Sequence, residues 1–482
     1  MADVFIPSVS NSSVNATEQI RKVLDAKRVP LTRMEDEVEA FQNEKITWSN
    51  TRRNIIKLSE SAKALYQFGN AFSERRLVSS SDAIEGNTKP NSDIGTYKIS
   101  VIQIAQVDKF ASTELDTKTT VSAGNYPFQL GDIKKTVVFS GGGLNDFIQT
   151  INTQVKNIIK ATLISVSPDK SVFILSGKKE GREQKLVLTG ITAQLAKDWQ
   201  IIDENATPIH ALSRAQDARI SLEGIEISNP RNTIENIIPG ITLKLKDVTK
   251  KPETISVSPN TDFSKEQIIN FVGNYNILMQ KINILTSNRE TIIDEIDFPS
   301  IEERTQAKQQ LGKLQGNSQL NRLRFTLQSI TTGFIRIAGK SHTLEEIGIS
   351  SQAQGGSTTA AQRRGYLEID EAKLDKQLQN NLEMVAKFFG NDRNHDLIID
   401  GGIAFQVETT LQPYLQNNGV IKNRLKTIDM LITDKQKQIN TYSKKLDDLE
   451  TQLKREFAIL DQQVRALEEN TKALDSFIGR KK

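Results

Sequence analysis

The chain has 482 residues, a formal net charge of +4, no cysteine and three histidines. This composition excludes disulfide scaffolds, thiolate chemistry and cysteine-held zinc, and its interleaved basic and acidic residues argue against nucleic acid or an anionic membrane as the main partner. No run approaches eighteen consecutive apolar residues, so membrane insertion is not expected, and the opening MADVFIPSVSNSSVNATEQ lacks the basic-then-apolar order of a signal peptide.

The first fifteen residues are small and polar and read as an unfolded tail. A short helix follows, capped by Thr17 with Ile20, Val23 and Leu24 on one face, and Pro30 is expected to end it. Thr32 with Glu35 forms a capping box for a second helix. Its sevenfold series is Met34, Phe41, Trp48, Ile55 and Ala62, and Gly69 is its stop. Residues 1–75 are thus assigned as a disordered tail and a coiled-coil arm.

RRLVSSSDAIEGNTKPNSDIG reads as a linker, and GTYKISVIQIAQ as a strand rich in β-branched residues. Further short strands are expected up to about residue 258. ATLISVSPDKSVFILSGKKEG reads as two strands joined at Pro168-Asp169-Lys170, RISLEGIEIS as a hairpin turning at Glu223-Gly224, and GITLKLKD as a clean alternation. One helix interrupts them, LNDFIQTINTQVKNII, with Leu144, Phe147, Ile148, Ile151 and Val155 on one face. Residues 76–262 therefore form a β-rich head, with candidate lobes at 76–125 plus 200–262 and at 126–199.

Helix returns at Ser264, where Gln267 completes a capping box and Ile268, Phe271, Val272, Tyr275, Leu278, Met279 and Ile282 form a stripe. Helical patterns continue over 300–314 and 320–329. A loop, SSQAQGGSTTAAQRRG, leads to a short strand at 366–369. One helix then carries Leu374, Leu378, Leu382, Val385 and Phe389, and a last one, IAFQVETTLQPYLQ, runs into Asn417-Asn418-Gly419. Residues 263–424 are assigned as a helical return domain packing with the N-terminal arm.

From residue 425 to 482 a second arm repeats every seven positions: Leu425, Ile432, Ile439, Leu446, Leu453, Leu460, Leu467 and Leu474. It would be roughly 80 Å long. The companion apolar position lies three residues on at first (Ile428, Tyr442, Leu449). Beyond Leu453 that slot turns polar (Glu456, Gln463, Asn470), and Phe457, Val464 and Ile478 appear four residues on. The wet face rotates by about one residue, near 100°, which reads as a change of partner along the helix. The same heptads also fit one arm of an intramolecular bundle. The two terminal arms share a periodicity and are expected to pair, leaving the head looped out. The fold class is α+β: terminal coiled-coil arms and a helical bundle carrying an inserted antiparallel β head.

Chemistry-bearing motifs are absent. SGGGLNDF lacks the Gly-Lys-Ser/Thr ending of a phosphate loop, and Gly141, Gly142 and Gly143 read as a strand-to-helix turn, as do Gly401 and Gly402. Asp294/Glu295 and Glu302/Glu303 read as solvated helix faces rather than a general acid–base pair. His210, His342 and His395 have no ligand spacing. Trp48 reads as a seam residue and Trp199 as head core or lobe junction. Neither an enzyme nor any cofactor or metal is expected.

Several segments, in order, carry a family resemblance. VPLTRMEDEVEAFQNEKITW resembles the opening helix of the flagellar filament-capping proteins, also called hook-associated protein 2. IGTYKISVIQIAQVDKFAS is similar to their Gly-x-Tyr-x-Ile-x-Val strand. AQDARISLEGIEISNPRNTIENIIPGITLKLKD matches a family block through Gln216, Asp217, Ala218, Gly224, Ile225, Asn232, Thr233, Ile234, Ile238, Gly240, Ile241, Thr242 and Leu243. IINFVGNYNIL, LEEIGI, YLEIDEAKLDKQL and NNGVIKNRLKTID continue it. The polar, lengthened 300–327 stretch and the ending Gly479-Arg480-Lys481-Lys482 depart from the pattern.

The resemblance implies a homo-oligomer of about five subunits at the tip of the bacterial flagellar filament, extracellular or, as in spirochaetes, periplasmic. The protein would be secreted through the flagellar type III export apparatus with an export chaperone, and would promote folding and insertion of flagellin. Candidate coiled-coil, oligomer or flagellin contacts are Met34, Phe41, Trp48, Ile55, Leu425, Ile432, Ile439, Leu446, Leu449, Leu453, Phe457, Leu460, Val464, Leu467, Leu474 and Ile478. Two other readings are an adhesin at the flagellar tip for host glycans or mucin, and a coiled-coil scaffold inside the cell.

Overall fold

The computed structural model describes residues 12–351, 364–394, 396 and 398–478, with side chains from Thr17 to Ala473. The tail before Ser12, the loop 352–363, His395, and the side chains of Leu474 and Ile478 lie outside the described residues. The chain divides into two compact units. One comprises the described residues up to Gln67 together with Glu266 onward, and the other is Phe68–Lys265.

The first unit is built on two long helices, Ser12–Tyr66 and Val420–Ile478. The N-terminal one is continuous: Pro30 lies inside it and Thr17 and Thr32 do not begin it, contrary to the expected break. A proline removes one amide donor and disturbs the turn before it. Here the Tyr442 hydroxyl of the C-terminal helix donates to the Lys27 carbonyl at 2.9 Å, in that disturbed turn. The Thr32 hydroxyl reaches the Arg28 carbonyl at 3.5 Å. Packing on the partner helix outweighs the local stop signal.

Between these helices lie Thr261–Thr286, Ile301–Gln310, Ser318–Thr332, Glu371–Asn380, Leu382–Phe389 and Ile403–Leu415. The first begins at Thr261 rather than Ser264, because Asn260 Oδ1 accepts from the Phe263 amide and Ser264 turns its hydroxyl back to the Ala71 and Asn260 carbonyls. The helix expected over Leu374–Phe389 is broken at Asn381, whose extended-side backbone (φ −139°) ends one segment and starts the next. The stripe Ile268 to Ile282 is buried throughout, with Phe271 edge-on to Phe389 at 6.0 Å and the Tyr275 hydroxyl 3.1 Å from Thr331 Oγ1.

The second unit is antiparallel β with two cores. In the first, the strands order as Arg75–Ser79, Glu253–Pro259, Gly95–Gln103, Ala218–Leu222 and Ile225–Asn229, beside a three-stranded sheet of Thr233–Glu235, Ile241–Leu245 and Ile84–Thr88. Arg75–Ser79 and Ile84–Thr88 fall in the stretch read as a linker. Their partners are strands more than 150 residues away, which local composition cannot announce. Glu223 and Gly224 both have positive φ, 52° and 85°, as the expected hairpin turn requires.

In the second core, Ala211–Ser213, Lys109–Asp116, Lys170–Gly177 and Ile159–Ser167 form one sheet, and Leu186–Leu188, Gly124–Leu130 and Ile133–Phe139 another. Helices Leu144–Gln154 and Gly190–Asp198 pack on them; the first stops five residues earlier than its pattern, and the second had no sequence signal strong enough to name. Phe147 joins Tyr126, Phe139 and Trp199 at 4.8, 5.0 and 6.3 Å between ring centroids. The lobe boundaries therefore differ from those expected. Lys109–Asp116 and residues 200–213 belong with the aromatic core, so the chain crosses between lobes near 105–108 and 213–217. Polar groups fasten that crossing: Asn232 exchanges two bonds with the Ala105 backbone, and the Glu180 carboxylate accepts from Asn232.

Candidate functional site

The surfaces formed by the terminal helices are the site to which the sequence points. Ion pairs fix their direction. Glu44 Oε1 accepts from Arg424 Nε and Nη2 at 2.9 and 2.7 Å, Lys45 meets Asp429 at 2.5 Å, and Glu37 meets Lys435 at 2.6 Å. As numbers fall along one helix they rise along the other, so the pair is antiparallel. Trp48 is 2% exposed, and its indole nitrogen also donates to Glu44 Oε1, at 3.0 Å. One carboxylate thereby ties the seam aromatic to the partner helix.

Ile55 and Ala62 are fully buried, while Met34 and Phe41 are half-buried. On the C-terminal helix Ile439 and Leu446 are buried, and Leu425, Ile432, Leu449, Leu453, Phe457 and Val464 are half-buried. Fifteen residues back from Lys27 to Ser12 correspond to fifteen on from Tyr442 to Phe457. Past that point Leu460 and Leu467 are 53% and 65% exposed.

Sequence reasoning missed Val38, Leu58, Leu65, Ile421 and, as a seam residue, Leu24, all buried. A second sevenfold series, Leu24, Leu31, Val38, was present, but it runs on into Lys45, Arg52 and Ser59, and those polar residues hid it. At the far end of the N-terminal helix, Tyr66 donates to Glu408 Oε2 at 3.3 Å and Lys63 approaches Glu408 Oε1 at 3.4 Å. Burial, then the Glu408 charge, pushes the Tyr66 phenol up to about 12.

A cleft of about 460 Å³ in the head contains Asp108, but both its carboxylate oxygens are held, by the Leu186 and Ala215 amides at 2.7 Å. His210 is exposed and His342 bonds Glu346 at 2.7 Å. Among the described residues no group of three or more His, Asp or Glu is placed to hold a metal ion, and no helix is long and apolar enough to cross a membrane.

Comparison with known proteins places this architecture. The family model described as flagellar hook-associated protein 2 C-terminus matches residues 215–469, and that described as flagellar hook-associated protein 2 N-terminus matches 12–108. The chain belongs to the flagellar hook-associated protein 2 family. A relative of that name from Treponema maltophilum is 26% identical over 631 aligned positions, covering 92% of this chain and 94% of the relative. Those positions outnumber the 482 residues of this chain, so that relative holds inserted segments that this one lacks. Another, from Treponema pallidum, is 42% identical over 225 residues, 46% of this chain and 31% of the relative. The crystal structure of the flagellar cap protein FliD D1-D2-D3 domains from Escherichia coli shares the fold, with a TM-score of 0.57 and 21% identity over 80% of this chain and 99% of that one. The family is one of filament cap proteins, structural components of the flagellum. The relatives lend no support to the reading of a tip adhesin.

Proposed function

We propose that this chain forms an oligomeric cap at the filament tip and assists flagellin to fold and insert beneath it, without covalent chemistry. The observation that carries this is the C-terminal helix. Its apolar seam meets the N-terminal helix at Tyr442, and farther on the helix presents Leu460 and Leu467 to solvent. An amphipathic helix with such a stripe is built to receive another helix by groove packing. Flagellin is the partner this reading assigns to it, and Phe457, Leu460, Val464, Leu467, Leu474 and Ile478 the residues. Met34, Phe41, Trp48, Ile55, Leu425, Ile432, Ile439, Leu446, Leu449 and Leu453 hold the leg itself together. Delivery through the flagellar export apparatus with a chaperone belongs to the same reading. An extracellular filament and a periplasmic one, as in spirochaetes, both fit this reading.

The test uses the full chain with Leu460→Asp and Leu467→Asp together. Both side chains are exposed, so the circular dichroism spectrum and unfolding midpoint should be unchanged. Added to filaments lacking caps, the variant should fail to support elongation by flagellin monomers. Elongation at the wild-type rate would remove the assigned role from this seam.

A further inference from the structure

Two features of the first unit carry opposite charge and have no use in the scheme above. The first is the excursion between helices Thr261–Thr286 and Ser318–Thr332. It has its own small core of Ile284, Ile292, Ile293 and Ala307, with Ile296, Phe298 and Leu311 against it. Its tip presents Ile301, 81% exposed, at the start of helix Ile301–Gln310. Asp297, Glu302 and Glu303 flank it. All three are exposed, and none forms an ion pair among the described residues; Asp294 and Glu295 nearby are taken by Arg304 and Arg364. An isoleucine that open to water, ringed by uncompensated carboxylates, has the form of a peg.

The second is a cleft of about 740 Å³ lined by Arg336, Ala338, Gly339, Lys387, Gly390, Asn391, Asp392, Arg393 and Ile399. Arg336 and Arg393 are exposed and make no ion pair among the described residues, and Lys340, in the strand Lys340–His342 that pairs with Ile335–Ile337, is in the same state. Lys387 is held by Glu383 at 2.6 Å, and Asp400 accepts from the Arg393 backbone rather than its side chain. Asp392 is the one carboxylate in the lining. Glycines keep the walls low: Arg393 lies across Gly401, where a Cβ would sit 2.5 Å from its Nε. Phe334 and Ile398, exposed by 79% and 66%, lie in the segments that carry these basic residues.

One molecule cannot join these features. The excursion packs at Ile284, at the C-terminal end of helix Thr261–Thr286, whereas the cleft follows Phe389, which contacts Phe271 of the same helix. Thirteen helical residues separate those levels, about 20 Å. Different, complementary patches on one subunit make a heterologous contact, and a heterologous contact that closes makes a ring. We propose that the acidic peg around Ile301 docks in the basic cleft of Arg336 and Arg393 on a second copy of this chain, and that this contact sets the subunits side by side in the cap. The inference rests on the oligomeric reading above. Long-range attraction between the two patches would steer the encounter and weaken as salt rises.

Because the chain has no cysteine, a cross-link reports directly. Full-length Ile301→Cys/Ala338→Cys protein should give, on oxidation, a ladder of covalent multimers, and the two single variants should give none beyond a dimer. In parallel, sedimentation velocity at low and high salt would follow Glu302→Lys/Glu303→Lys, Arg336→Glu/Arg393→Glu and the fourfold combination. Each double reversal should lose the multimer. The fourfold variant should regain it, which a folding defect would not do. Multimers that persist in both reversals with no ladder would overturn this contact while leaving the cap reading intact. A wild-type chain that stays monomeric at every concentration would overturn both.

Discussion

Ile55→Ala tests whether the terminal helices and the β unit are separately stable. Ile55 has no exposed surface and lies two turns beyond Trp48 on the same face of the N-terminal helix. Truncation removes its branched side chain from a site that the continuous helix prevents from collapsing, at a cost of about 4 kcal/mol. With a urea slope of about 3 kcal/mol per molar, the midpoint should fall by about 1.3 M. The chain offers its own probes, since it has two tryptophans, Trp48 in the first unit and Trp199 in the aromatic core of the second. In a Trp199→Phe background fluorescence follows the helical unit, and in a Trp48→Phe background it follows the head. The expected result is a shifted transition for the first probe and an unshifted one for the second. Equal shifts would refute independent units, and no shift in either would refute the placement of Ile55 in a rigid seam.

Glu44→Ala should lower the helical unit's stability by about 1–2 kcal/mol, since it strands the Trp48 indole and frees Arg424; Glu44→Gln should retain part of the loss, measured by the same urea transitions. Gly402 has φ +96°, and a Cβ there would sit 2.4 Å from the Phe389 carbonyl oxygen, so Gly402→Ala should cost about 2–4 kcal/mol and lower the thermal midpoint. Burial pushes the Tyr275 phenol up to about 12 from an ordinary 10. The unfolded chain therefore loses that proton first. The contribution is whole below pH 10, falls as pH rises to about 12, and amounts to roughly 3 kcal/mol. Urea midpoints taken across that range should fall less steeply in Tyr275→Phe.

The sequence exposed what repeats and concealed what depends on distant partners. Sevenfold spacing announced both terminal helices, because periodicity is a local property of the helix surface. The later companions Phe457 and Val464 are half-buried, and it is Leu460 and Leu467 of the sevenfold series that face solvent. Pro30 misled because the donor that serves its turn comes from Tyr442. Residues 75–88 misled because their strand partners lie beyond residue 240. The lobe boundary was misplaced since Phe110 and Ile202, at the two chain crossings, pack into one aromatic core that no single segment contains. In the seam, Lys45 and Arg52 occupy positions that a search for apolar residues passes over. The acidic tip at Glu302 was visible as composition, but its counterpart at Arg336 and Arg393 comes from two segments that only the fold juxtaposes.

The bond between Glu44 and Arg424 joins residues 380 apart in the chain. At a synthesis rate of about 5–20 residues per second, the first helix leaves the ribosome roughly 20–80 s before its mate exists. During that interval the half of the seam that includes Trp48 and Ile55 has nothing to close against. The β unit, whose strands all fall between Arg75 and Pro259, can meanwhile be complete. Formation of the leg is thus a late event, timed by the arrival of the last hundred residues, and a nascent or truncated chain carries an open apolar stripe that only those residues can cover.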